Sequence, residues 1–221
     1  MQIPFSLDRR LSLCADFVRV GAKLADIGSD HAYLPVFLSL SGKIQSAIAA
    51  DINEEPLLRG KQTIEKYDVS HIVSTRLCNG LADFTADEVT DIVIAGMGSD
   101  TIIGILSAAP WLKDDSKRLI LQPMTKSERL ITWLYENGFE IKEQKCCIAE
   151  GKPYTILCVH YTDHSSPCTE CFSYTGLLCP EENEDDVAFL NQQVKILSKR
   201  TAADKRFGEL SEKIKERLQK I

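Results

Sequence analysis

The run Lys23-Leu24-Ala25-Asp26-Ile27-Gly28-Ser29-Asp30-His31-Ala32-Tyr33-Leu34-Pro35 constrains the fold more than any other stretch of the chain. It reads as a buried strand ending in a carboxylate, Asp26, then a sharp turn at Gly28 and a helix. Glycine lets a ligand approach the backbone with no Cβ in the way. In open α/β sheets, such strand–turn–helix units frame a crevice at the carboxyl ends of the strands, where ligands bind. This turn carries a single glycine. The GxGxxG cradle for a pyrophosphate is absent, which disfavours a dinucleotide.

The same alternation continues along the chain. Apolar periodicity predicts a helix over 6–20, capped by Ser6 and ended by Gly21. A strand over 23–27, a helix over 31–41, a strand over 44–51 and a helix from Glu54 follow. Next come strands over 72–78 and 91–95, a helix from Asp100, a strand over 118–121 and a helix over 125–136. Two long strands, 139–149 and 153–161, meet at the Gly151-Lys152 turn. Repeated strand–helix alternation predicts an α/β fold: a doubly wound, Rossmann-like parallel sheet covered on both faces, with an antiparallel pair at one edge.

Residues 1–162 are expected to form that domain, and residues 163–221 a linker and a helical appendage. The stretch 162–186 is rich in Ser, Thr, Pro, Cys and acidic residues, so it is expected to hold little core. Beyond it, Val187, Leu190, Val194 and Leu197 mark one helical stripe, and Leu210, Ile214, Leu218 and Ile221 another. These predict a short antiparallel coiled coil, broken around 202–208.

Charge divides the chain in the same place. The net charge is −6, but residues 187–221 carry +5 and the rest −11. A basic end on an acidic body suits a chain that meets a polyanion with that end. Lys195, Lys199, Arg200, Lys205 and Arg206 cluster near the expected bend, where they would project outward; Arg9 and Arg10 are the matching cations near the start. No apolar run approaches the ~20 residues of a membrane span, and no secretory leader is expected. Three of the eight cysteines, Cys14, Cys78 and Cys158, lie in apolar segments and read as buried thiols, consistent with a reducing cytoplasm. His164, Cys168, Cys171 and Cys179 are spaced too tightly for a zinc ribbon and read as free surface groups, so no metal is expected.

Four strand ends carry residues that a nucleoside cofactor needs. Asp26, Gly28, Ser29 and His31 follow the first strand. Asp51 and Ile52 end the second, where a carboxylate can accept both ribose hydroxyls. Asn79, Gly80 and Leu81 turn after the third and can offer backbone groups to an adenine edge. Ala95, Gly96, Met97 and Gly98 leave room after the fourth for a reactive centre and its acceptor. S-adenosylmethionine (SAM) is a nucleoside cofactor without phosphates and fits this set. NAD rests on the Asp51 feature alone.

The string Asp26-Ile27-Gly28-Ser29-Asp30-His31-Ala32-Tyr33-Leu34-Pro35 resembles the signature of the bacterial tRNA (adenine(22)-N1)-methyltransferases, the TrmK family. So do Leu7-Asp8-Arg9-Arg10-Leu11, Asn79-Gly80-Leu81, Ile94-Ala95-Gly96-Met97-Gly98, Leu119-Ile120-Leu121-Gln122-Pro123 and Gly151-Lys152-Pro153-Tyr154. The resemblance covers residues 7 to about 160 and continues more weakly into the tail. It implies a class I SAM-dependent methyltransferase fold, a C-terminal coiled coil and methylation of N1 of adenine 22 in tRNA. Ser99 and Met124 depart from the family pattern, which has glycine and commonly asparagine there.

Adenine N1 has a free lone pair, so the chemistry asks for positioning and charge rather than a strong base. Exposing N1 requires unpairing and extruding the base. Asp26 and Asp30 are the carboxylates nearest the methyl donor in sequence, and His31 is placed to shuttle the N6 proton or to make a local hydrogen bond. Tyr33 is suited to stacking on a ring or to core packing, and Gln122 to an adenine edge or a strand-end cap. The alternative to an enzyme is a non-catalytic SAM- or nucleotide-binding module whose tail engages a protein.

Overall fold

The computed structural model describes residues 3–164 and 167–219. Ile221, the last residue of the second stripe, lies outside them. Among the described residues, β1 (Ala22–Ile27), β2 (Ile44–Asp51), β3 (Val73–Leu77), β4 (Asp91–Met97), β5 (Arg118–Pro123), β6 (Phe139–Ala149) and β7 (Lys152–Tyr161) form one sheet. Its order is β3-β2-β1-β4-β5-β7-β6. β1 to β5 are parallel, and β7 runs antiparallel to both β5 and β6.

Both faces of the central strands are buried, which is why their sequences are continuously apolar. Ile92, Ile94, Leu119 and Leu121 pack on one face, under α4 (Ser99–Ser107) and α5 (Ser127–Glu136). Val93, Ile120 and Leu24 pack on the other, under α1 (Arg9–Phe17), α2 (Tyr33–Leu40) and α3 (Glu54–Lys66). Opposite the carboxyl ends of the strands, the fully buried Asp91 accepts hydrogen bonds from Arg19 N and Arg19 Nε, both at 2.8 Å. Arg19 Nη2 then donates to the carbonyls of Thr90 and Ser116 at 2.9 and 2.8 Å.

Two helix boundaries differ from expectation. α1 starts at Arg9, because Asp8 rather than Ser6 is the cap: its Oδ1 accepts from Leu11 N at 2.9 Å. It stops at Phe17, well before Gly21; Val18 is extended and the next backbone N–H is committed to Asp91. α2 starts at Tyr33, since His31 and Ala32 have φ of 63° and 53°. Left-handed non-glycine residues cost of order 1–3 kcal/mol each and persist where the surroundings hold them. Here α3 does so, with Gly60 closely packed on Ala32.

The tail holds more core than its composition suggests. Within the stretch expected to be a bare linker lies α6 (Glu170–Thr175), and Tyr174 and Leu178 are buried. They join Cys146 of β6 and Phe189, Leu190, Leu197, Leu210 and Ile214 in a third cluster. The last five lie on α7 (Glu184–Arg200) and α8 (Arg206–Leu218), which pair as a hairpin with Ser198 Oγ 3.2 Å from Ser211 Oγ. The bend occupies 201–205, so α8 begins before Gly208. The α7 stripe faces β6 as well as α8, because the sheet edge offers Cys146 as an apolar partner. An ion pair at 2.7 Å between Arg9 and Asp185 ties α1 to the start of α7.

Candidate active site

The β1 turn is held by β2. Gly28 N and Ser29 N both donate to Ala50 O, at 2.8 and 3.0 Å, which forces Gly28 to a φ of 75°. The β4 turn is held by β5: Gly96, with φ 79°, donates its N–H to Gln122 Oε1 at 3.0 Å, and Gln122 Nε2 donates to Pro123 O at 3.0 Å. Between these turns opens a cleft of 260 Å³. Asp26, Gly28, Ser29 and Asp30 line one side, Ala95, Gly96 and Gln122 the other, and Arg10, Leu11, Tyr33 and Leu34 the remaining wall. The sheet order reverses between β1 and β4, so the cleft sits at the switch point where open α/β folds bind ligands.

The floor of the cleft is a perturbed carboxyl. Burial pushes Asp26 up from the ordinary 3.8 to about 6, opposed by Ser29 Oγ, which donates to Asp26 Oδ2 at 2.6 Å. A buried, incompletely paired carboxylate favours a neighbouring cation. Asp30 is exposed and already paired, with Arg59 Nη2 at 2.9 Å. His31 does not begin a helix; it stacks on Tyr33 with ring centroids 5.2 Å apart and planes at 12°, and its Nε2 is 3.7 Å from Asp30 Oδ1. Tyr33 is 42% exposed, which rules out a core position and leaves the stacked pair at the mouth.

The other expected cofactor residues lie along the same sheet edge, beyond the cleft. Asp51 Oδ1 accepts from Asn53 N at 2.8 Å, and Ile52 is exposed. Gly80 has φ 58° beneath Ile105; Asn79 is exposed, while Leu81 is buried in the core and offers only its backbone. Met97 Cε packs onto Gly28 so closely that a Cβ there would collide with it, and Gly98 caps α4. Both departures from the family pattern have partners. Ser99 Oγ donates to Thr125 O at 2.8 Å, tying α4 to the loop after β5. Met124 Sδ accepts from Arg10 Nη1 at 3.5 Å and Gln122 Nε2 at 3.6 Å.

Sequence reasoning did not assign Leu11, Leu34 or Arg59 to the site. Arg59 follows Glu55 at i,i+4 spacing and is bonded to it, so by pattern alone it reads as a surface pair. The Tyr154 ring lies 5.3 Å from the Arg10 guanidinium, a contact across the sheet that no local pattern announces.

Residues 7–157 match the family model described as a methyltransferase domain. A curated tRNA (adenine(22)-N(1))-methyltransferase of Bacillus subtilis (strain 168) is 36% identical over 160 residues, 72% of this chain and 67% of the relative. This chain belongs to that family. A Streptococcus pneumoniae protein crystallised in complex with S-adenosyl-L-methionine superposes with a TM-score of 0.86 at 33% identity, covering 96% of this chain and 99% of that one. The Bacillus subtilis tRNA methyltransferase TrmK gives 0.80 at 29% identity, covering 97% and 96%.

In this family member the basic residues divide into committed and free. Arg9 is paired with Asp185, and Arg10 bonds Asp8 at 3.1 Å while lining the cleft. Arg200 does not project outward: it is half-buried, bonds Tyr174 Oη at 3.0 Å and Glu128 at 3.3 Å, and covers the Phe207 ring. The cause is the packing of α6 and α5 against the tail, which draws the guanidinium inward. Arg206 is exposed but closed onto Asp204 at 2.6 Å. Lys195, Lys199 and Lys205 are exposed and have no ion pair among the described residues. Cys168 packs towards α5 and Cys171 towards the tail cluster, while Cys179 is exposed. Among the described residues, no three His, Cys, Asp or Glu side chains gather as metal ligands.

Proposed function

We propose that this chain methylates N1 of adenine 22 in tRNA, with SAM as methyl donor, in the cytoplasm. The carrying observation is the cleft between the β1 and β4 turns, with a buried carboxyl on its floor and an aromatic pair at its mouth. Its residues fit SAM: Gly28 lines the cleft while its missing side chain makes room for the Met97 methyl, and Asp26 supplies negative charge towards an ammonium or sulfonium. When bound, SAM supplies a methyl group on a positively charged sulfur. Asp51 has one carboxylate oxygen committed to Asn53 N, leaving the other for a ribose hydroxyl. The turn at Asn79, Gly80 and Leu81 offers backbone groups to the cofactor's adenine.

The protein's work on the acceptor is positioning. The exposed Tyr33–His31 stack is a platform for an extruded base. Gln122 spends one amide hydrogen on Pro123 O and the other on the weak acceptor Met124 Sδ, and an adenine edge that displaces the sulfur can take the second. His31 acts by stacking and Asp30 by anchoring Arg59 beside it, since Arg59 already neutralises Asp30 and N1 needs no base. Met97, Ala95, Gly96 and Gly98 shape the space around the methyl group. Residues 163–221 form the unit that holds the RNA, through Lys195, Lys199 and Lys205, and no helix among the described residues is long and apolar enough to cross a membrane.

The test is mass analysis of tRNA transcripts after incubation with SAM. One N1-methyladenosine at position 22 is expected, and none in a transcript carrying guanine there. Absence of the product, or equal methylation of the guanine transcript, overturns the proposal.

A further inference from the structure

A second cleft, of 400 Å³, lies between the loop after β5, the β6–β7 turn and α7. Tyr154 and Phe189 supply aromatic wall, Lys152 a cation, and Gln192 and Gln193 two amides. Three observations single it out. Gln193 is 3% exposed, yet its amide has no hydrogen-bond partner among the described residues although it lines the cleft. The amide atoms are not among the buried unpaired ones, so they open into the cleft and offer a ligand one acceptor and two donor hydrogens. Lys152 is exposed and carries no ion pair among the described residues. The cleft also adjoins the first one: Met124 lines it, and the Met124 sulfur accepts from Arg10 and Gln122, which line the other.

We infer that this cleft receives the nucleotide next to the target adenine, with Gln193 reading its base edge and Lys152 meeting its phosphate. This rests on the tRNA reading above. An RNA strand that delivers one base beside Gln122 must pass its neighbour across Met124. Enzymes that extrude a base hold the flanking nucleotides too, and those contacts set sequence context. A carboxamide pairs with a base edge through donor and acceptor together. The nearby acid, Glu128, is engaged by Arg200, so the cleft does not present it as a free anion to a phosphate.

The test is a cycle on methyl transfer by the full chain. Wild type and Gln193→Met, which keeps the side-chain size but not the amide, are each assayed on intact tRNA. They are also assayed on tRNA made abasic at the nucleotide on either side of adenine 22. Gln193→Met should raise KM for intact tRNA by about tenfold, the discrimination of one base-edge pair, with kcat and SAM affinity unchanged. One of the two abasic tRNAs should raise the wild-type KM similarly and add little to the variant. Multiplying penalties, or an unchanged KM in the variant, overturns the inference. Should Gln193→Met melt early, the same cycle on Gln193→Asn, which draws the amide back by one methylene, decides by the same criteria. A wild type that methylates adenine 22 while the cycle is additive refutes the second cleft alone. A wild type that methylates no tRNA refutes the parent reading and this one with it.

Discussion

Replacing Asp26 by asparagine should stabilise the protein and weaken its cofactor binding together. The carboxyl is 7% exposed, and burial lifts it from the ordinary 3.8 to about 6. A folded-state pKa above the unfolded value means that the native state binds the proton more tightly. That contribution is fully present below pH 3.8, and it is lost as pH rises through about 6. About two units at ~1.4 kcal/mol each set a ceiling of roughly 3 kcal/mol on the cost of holding the charged form at pH 8. An asparagine at this position has the same shape and no charge, and its Oδ1 can still accept from Ser29 Oγ. Asp26→Asn should therefore be more stable than wild type at pH 8 by up to about 3 kcal/mol, with the difference closing towards pH 4. SAM, by contrast, should lose about 1.5–3 kcal/mol with the charge-assisted interaction. Its affinity for wild type should rise with pH through about 6, as the carboxyl ionises, and that dependence should vanish in the variant. Urea unfolding between pH 4 and 8 reads the first effect and calorimetry the second, both as differences between the two proteins so that other groups cancel. A variant that is less stable at pH 8, or that binds SAM with wild-type affinity and slope, refutes the reasoning.

Gly28→Val should abolish SAM binding in calorimetry while circular dichroism still reports a folded protein. Its φ of 75° and the packing of Met97 both oppose a side chain, at a backbone cost of about 1–2 kcal/mol. Asp51→Ala should weaken SAM by about 1.5–3 kcal/mol for each hydrogen bond removed, and unchanged affinity would remove Asp51 from the site. Changing Lys195, Lys199 and Lys205 to glutamate should weaken tRNA binding and flatten its log-log salt slope by about 0.7–0.9 for each phosphate that is no longer neutralised; SAM affinity should stay constant. Charge reversal is a cleaner perturbation than deleting the tail, since deletion would bare Cys146 and the sheet edge beneath α7. Asp91→Ala should lower stability by about 3–5 kcal/mol in denaturant melts, because Arg19 would keep its charge beside a buried vacancy.

Local chemistry determined much of this molecule from the sequence alone. Continuous apolar runs such as Ile92-Val93-Ile94 can satisfy both faces inside a parallel sheet, so the strands and the crevice at Gly28 were legible without coordinates, while the order of the strands in the sheet came only with the structure. β2 and the start of α3 fall at their expected residues, since Asp51 and Asn53 end one pattern and open the next. Tertiary structure decided what depends on partners distant in sequence. Helix ends moved where a remote group claimed a backbone N–H, as Asp91 did at Arg19. His31 and Ala32 adopt left-handed backbone because α3 presses on the turn. Arg200 appears in sequence as one cation of a basic cluster, and only the fold of α6 over α7 turns it inward to Tyr174 and Glu128. The second cleft belongs wholly to this class: Met124, Lys152 and Gln193 come from three segments, and the packing of α7 on the sheet edge is what leaves an unpaired amide open towards the cleft.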